Sequence, residues 1–140
     1  MKYRSFMKIL LFAGFVYFFL MAVVHFIGFK LAGFYIYFQI PSYAYQDKII
    51  SVLVMGWAMF FLQAALDPVR NMGVVRTLIA SGALALIGLS INSVLLDSSM
   101  LSPPVQPVYI WIHLGFLLIY IFMLTYSYAK MSPKVHRGRK

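Results

Sequence analysis

The chain has 140 residues, is 63 % hydrophobic and 11 % charged, and carries a net charge of +9. A soluble domain needs about a quarter of its residues charged to cover a wet surface, so these proportions exclude an ordinary soluble fold. The absence of Cys excludes disulfides, thiolate metal sites, iron–sulfur clusters and thiol redox chemistry.

The apolar residues fall in runs near the roughly 20 residues that cross a bilayer. The first is 6–29, preceded by Lys2 and Arg4 and including Lys8. A basic start before an apolar run also describes a signal peptide, but this run exceeds a signal h-region and no small-x-small cleavage site follows it. The expectation is an uncleaved first membrane helix. Residues 30–47 are a connection rich in aromatic rings, among them Phe34, Tyr35, Tyr37, Phe38, Tyr43 and Tyr45, with Pro41 and Ser42 breaking any continuous helix. Such rings favour headgroup level, so this connection is expected to lie along the membrane surface. Asp47 opens a second span, 49–66, where a carboxylate can cap free backbone N–H groups.

Residues 67–71, Asp67-Pro68-Val69-Arg70-Asn71, form a polar turn, with Asp67 placed to cap and Pro68 at a position where a missing N–H costs nothing. The third span, 74–96, carries small or polar residues at Gly73, Thr77, Ser81, Ala85, Gly88 and Asn92. Their spacing of four, four, four, three and four puts them on one face. In lipid such a face is a packing seam, for this helix within the chain or for a second copy or larger partner. The segment 97–107, with Pro103, Pro104 and Pro107, resists helix and makes a stiff connection. A fourth span, 108–129, precedes a basic tail from Lys130, expected to fray in water and to attract anionic headgroups.

Ten Lys and Arg fall on the side of the termini and the Asp67 turn, and only Lys30 and Lys48 on the other. The positive-inside bias puts both termini in the cytoplasm. One integral membrane domain is expected: an all-α transmembrane four-helix bundle, up-down-up-down. The run Ser42-Tyr43-Ala44-Tyr45-Gln46-Asp47-Lys48-Ile49-Ile50, then Gly56-Trp57, then Asp67-Pro68 with Arg70-Asn71, resembles a group of small uncharacterised bacterial four-span membrane proteins. The resemblance implies a bacterial inner-membrane protein and no particular activity.

Chemistry is sought in the polar residues within the spans, since unpaired polar groups are costly there. His25 and His113 sit at similar depths near the outer ends of the first and fourth spans. Tyr17 and Tyr120 lie deeper on the same two spans, roughly 10–12 Å along each helix from its histidine. If the two faces oppose each other, His meets His and Tyr meets Tyr, with Asn92 and Ser51 at comparable depth. That arrangement is an outer-leaflet pocket for a quinone head group, a lipid, or a haem b held by two imidazoles. The alternative is polar glue, each group bonding to backbone or to Asn92.

A metal site from His25, His113, Asp47 and Asp97 has acceptable ligand types, zinc foremost, but no spacing fixes two ligands on one helix, and no metal is assigned. Asp67, Arg70, Asn71 and Arg76 either bind a lipid phosphate or an acidic partner, or simply form a capped turn whose charges fix orientation. No catalytic residue is assigned: there are no paired carboxylates, no Ser/His/Asp set with plausible local geometry, and no Gly-rich phosphate loop. Without an intramembrane acid, the small four-span type of proton-coupled exporter is disfavoured. The basic residues flank apolar runs without interleaved aromatics, so nucleic acid is not an expected partner. The first functional expectation is therefore a non-catalytic membrane protein that packs as a homo-oligomer or as an accessory subunit. A binder of a membrane-soluble ligand comes second. A small transporter comes third, because polar groups occupy only the outer half and the inner rim.

Overall fold

The computed structural model describes residues 2–29, 44–95 and 107–137. They form four helices: α1 (Lys2–Ile27), α2 (Ala44–Leu66), α3 (Met72–Leu95) and α4 (Pro107–Arg137). All four are long and apolar enough to cross a membrane. Helix is the form such runs must take, because hydrocarbon offers no partner to a backbone N–H or C=O and the helix satisfies both internally. The aromatic connection through residues 30–43 and the proline segment through 96–106, with Asp97, lie outside the described residues.

The helix ends differ from expectation in instructive ways. α1 stops at Gly28, which takes a left-handed φ of 69°. The Gly28 N–H donates to the His25 carbonyl (3.3 Å) and the Phe29 N–H to the Val24 carbonyl (3.0 Å). This is a Schellman cap, and it ends the helix before residue 29 because glycine meets no Cβ penalty there. α2 begins at Ala44, so Asp47 lies inside its first turn and does not precede it; Ala44, Tyr45 and Gln46 include no Pro or Gly to delay the start. Pro107 becomes the first residue of α4, where its missing N–H leaves no bond unmade. The basic tail from Lys130 does not leave the helix, which continues to Arg137.

The α2–α3 turn forms as its residues suggest. One carboxylate oxygen of Asp67 accepts from the backbone N–H of Val69 (3.2 Å) and of Arg70 (3.4 Å). Asn71 closes the other side: its side-chain amide donates to the carbonyl of Gln63 (2.9 Å), in the last turn of α2, and to that of Asp67 (3.0 Å), which also accepts the Asn71 backbone N–H. The Arg4 guanidinium reaches the same Asp67 oxygen at 3.2 Å, tying the start of α1 to this turn.

α1 and α2 make the most extensive helix contact, and α2 and α3 the sparsest of the four main ones. Arg4 meets Asp67 at one end of the α1–α2 pair and His25 meets Asp47 at the other, so the pair is antiparallel. α4 runs antiparallel to α1: Tyr120 bonds to Leu10, and the Tyr3 and Tyr126 rings meet edge-on with centroids 6.1 Å apart. The start of α1, the Asp67 turn and the last turns of α4 therefore share one end of the bundle. The core gathers toward that end, from Met7, Leu10 and Leu11 of α1, Phe61, Ala64 and Ala65 of α2, Val75 and Leu78 of α3, and Leu124 and Met131 of α4.

Candidate functional site

Packing at mid-bundle is set by Gly14. A Cβ built there would lie 2.5 Å from the Tyr120 hydroxyl and 2.6 Å from the Phe61 ring. The missing side chain leaves room for both, and Phe61 also stacks on Phe18, with ring centroids 5.2 Å apart and planes at 21°. Tyr120 points into this junction and its hydroxyl donates to the Leu10 carbonyl at 2.8 Å. The expected partner, Tyr17, is 51 % exposed; it lies at the edge of the α1 inward stripe, while Met21 and His25 lie within it. The structure thus gives Tyr120 a backbone partner on α1 in place of a tyrosine.

The two histidines are each held close to home. The His25 Nδ1 lies 3.4 Å from an Asp47 carboxylate oxygen, with the two side chains 12 % and 16 % exposed. One turn further into α2, the Ser51 hydroxyl donates to the Ala22 carbonyl at 2.8 Å, and Ser51 is buried. His25, Ala22, Asp47 and Ser51 therefore make a short polar zip between α1 and α2 at the end opposite the Asp67 turn. On α4, the His113 Nδ1 donates to the Tyr109 carbonyl of its own helix at 2.7 Å; a carbonyl only accepts, so the proton sits on Nδ1. These contacts are of the kind that serves as polar glue. Among the described residues no group of three or more His, Cys, Asp or Glu is placed to hold a metal ion.

No family model, curated protein or solved structure matches this chain.

The α3 seam is the second candidate. Gly73, Thr77, Ala85, Gly88 and Asn92 are all exposed, and Ser81 is partly so. A Cβ at Gly73 or Gly88 would meet nothing within 4 Å. Inside the chain α3 packs through a different face, Val75, Leu78 and Gly82, roughly a third of a turn away round the helix. Gly82 lets α3 approach α4, since its Cβ would lie 3.1 Å from Ile121. The hydroxyls of Thr77, Ser90 and Ser93 bond to carbonyls four residues back, at 3.2, 2.7 and 2.6 Å. Each of these hydroxyl protons is thereby bonded within α3 itself.

At the Asp67 turn, backbone N–H donation, chiefly from Arg70, holds the carboxyl below its ordinary value of 3.8, with Arg4 adding to the effect. Arg70 and Arg76 are exposed beside it. On the same end, the Lys130 ammonium lies 5.5 Å from the centre of the Tyr126 ring. Cap, ion pair and cation–π contact engage Asp67, Arg4 and Lys130, while the side chains of Arg70 and Arg76 face outward.

Three features were not read from the sequence: the Gly14 junction, the His25–Asp47 pair and Asn71 closing α2. The second had a legible signal. Antiparallel neighbours place the last turn of one span beside the first turn of the next, and these turns carry one His and one Asp. The first had none, because a lone glycine in a long apolar run looks the same whether it faces lipid or a tyrosine.

Proposed function

We propose that this chain is a non-catalytic multi-pass protein of a bacterial inner membrane, with both ends in the cytoplasm, that assembles through the outward seam of α3. The partner is a second copy or a larger membrane complex. The observation that carries this is the exposed line Ala85, Gly88 and Asn92, continued by half-buried Ser81, on a helix whose buried residues lie on another face. Small side chains let a second backbone come close. A carboxamide turned outward at this depth is costly in hydrocarbon unless something bonds to it. Asn carries both donor and acceptor, so across a two-fold axis parallel to the membrane normal Asn92 can satisfy its own copy. The orientation rests on the excess of Lys and Arg on the side of the Asp67 turn.

The chain has no native Cys, which makes the test direct. Ala85→Cys and Gly88→Cys proteins, oxidised in native membranes, are expected to give a cross-linked dimer. Phe122→Cys, exposed on α4, is expected to give none. Equal cross-linking at all three positions, or a monomer with no co-purifying protein in mild detergent, would remove the proposal. A larger protein recovered with the wild type and lost on Ala85→Leu would select the accessory-subunit form.

A further inference from the structure

A groove of about 310 Å³ runs between α1 and α2, lined by Ala22, Val23 and Phe26 on one side and Ser51, Val52 and Met55 on the other. Its polar content is small. Ser51 is the one lining residue with a polar side chain, and its hydroxyl is already donated to the Ala22 carbonyl at 2.8 Å. With that proton engaged, no side-chain donor among the lining residues is left to orient a quinone carbonyl, and the almost wholly apolar lining fits a hydrocarbon chain. The volume sits at the lower bound of ligand pockets, roughly 300 Å³, which suits one chain better than a ring system.

The head of such a molecule would have to lie further out. One turn outward from Val52, about 6 Å along α2, stands Lys48, which is exposed. Asp47 beside it is only 16 % exposed and is engaged with His25. Among the described residues, the charge next to the mouth of the groove is therefore the Lys48 ammonium, on a stem long enough to lie over apolar surface and keep its end at headgroup level. A tail of hydrocarbon length below a cation matches the chemistry of one amphiphile class.

We propose that this groove seats one acyl chain of a phospholipid, in the leaflet opposite the Asp67 turn, with the lipid phosphate paired to Lys48. The site is separate from the α3 seam and does not depend on assembly.

The test uses the full-length protein in nanodiscs doped with a phosphatidylglycerol that carries a diazirine on one acyl chain. After irradiation, labelled peptides are identified by mass spectrometry. Labelling at Val23, Phe26, Val52 and Met55 is expected to exceed labelling at Phe116 and Phe122 of α4 several-fold; both α4 residues are exposed, lie away from the α3 seam and report contact with bulk lipid. Lys48→Gln is expected to bring groove labelling down toward the α4 level, and Val52→Trp to remove most of it by filling the groove. Diacylglycerol carrying the same photoreactive chain is expected to label the groove no more than it labels α4. Uniform labelling of every outward face, equal labelling by diacylglycerol, or no change in Lys48→Gln would each overturn the proposal. Both substituted residues are exposed in the structure, and an unchanged helical circular dichroism signal separates loss of binding from loss of fold. Cross-linking through α3 is expected to be the same in Lys48→Gln, so the two proposals fail independently.

Discussion

The two ends of the bundle are built differently. At the end of the Asp67 turn, four helices share one core, and side chains from all of them are buried together. At the other end, burial continues along α1, α2 and α4 through Ala22, Ser51, Ile110 and Leu114, while α3 beyond Leu78 contributes no buried residue. Over their most apolar stretches, 28 % of α1 is buried and only 6 % of α3. In water this would be untenable, because the outward Leu and Ile side chains would drive collapse. In a bilayer the surrounding lipid tails are as apolar as those side chains, and only packing and hydrogen bonds favour contact between helices. A membrane helix can therefore be anchored at one end and left open to lipid or to a partner at the other.

The largest test of this contrast compares two glycines. Gly14→Leu is expected to cost about 3 kcal/mol or to prevent folding, since even a Cβ there meets Tyr120 and Phe61 below 3 Å and overpacking strains a filled site. Gly56→Leu, where a Cβ meets nothing within 4 Å, is expected to be close to neutral. Thermal melts in detergent that moved both proteins equally would mean the junction is not filled as described. Next in size is Leu11→Ala, fully buried in the shared core, expected to lose about 2 kcal/mol through the cavity it leaves. Leu84→Ala, 70 % exposed on α3, is expected to leave the same melt in place.

A smaller effect separates the two tyrosines. Tyr120→Phe deletes a hydroxyl that bonds to the Leu10 carbonyl at 2.8 Å, and intramembrane bonds of this kind average about 0.6 kcal/mol. Tyr17→Phe is expected to change less, its ring being half exposed. Denaturant titration of both variants against wild type ranks them, and a larger loss for Tyr17→Phe would reverse the assignment. The smallest expectation concerns acid. The carboxyl of Asp67 is held below its ordinary value, 3.8, in the folded protein, so its stabilising effect is fully present above that value and is lost as pH falls through the folded one. Melting temperature followed below pH 4 should decline less in Asp67→Asn than in wild type. An identical decline would show that Asp67 contributes nothing there.

Much of the architecture is legible in the sequence alone. Helix number, the approximate place of the four apolar runs and the capped turn at Asp67 follow from local rules, since hydrocarbon demands internally bonded backbone and Asp can cap free N–H groups; the earlier start of α2 and the longer reach of α4 did not. Partnerships were less legible. Run lengths suggest similar depths for His25 and His113, but the register set by Tyr120 on Leu10 and Tyr3 on Tyr126 puts His113 nearer the level of Tyr17; neither that register nor azimuth can be read between two helices. Rotation of α1 relative to α2 turns His25 to Asp47, and rotation of α4 gives Tyr120 a backbone carbonyl in place of Tyr17. The small residues of α3 were equally ambiguous, since a seam looks the same whether it faces inward or out.

The sequence by itself determined that this is an all-α membrane domain of four spans, because composition, run length and backbone hydrogen bonding leave no other form. Only the tertiary structure decided which faces meet: Gly14 against Phe61 and Tyr120, His25 against Asp47, and the α3 seam left largely exposed among the described residues. The reason is that lipid and protein interior are almost equally apolar. Hydrophobic pattern, which tells inside from outside in water, falls nearly silent in a bilayer, and the very weak periodicity of α3 is what that silence looks like.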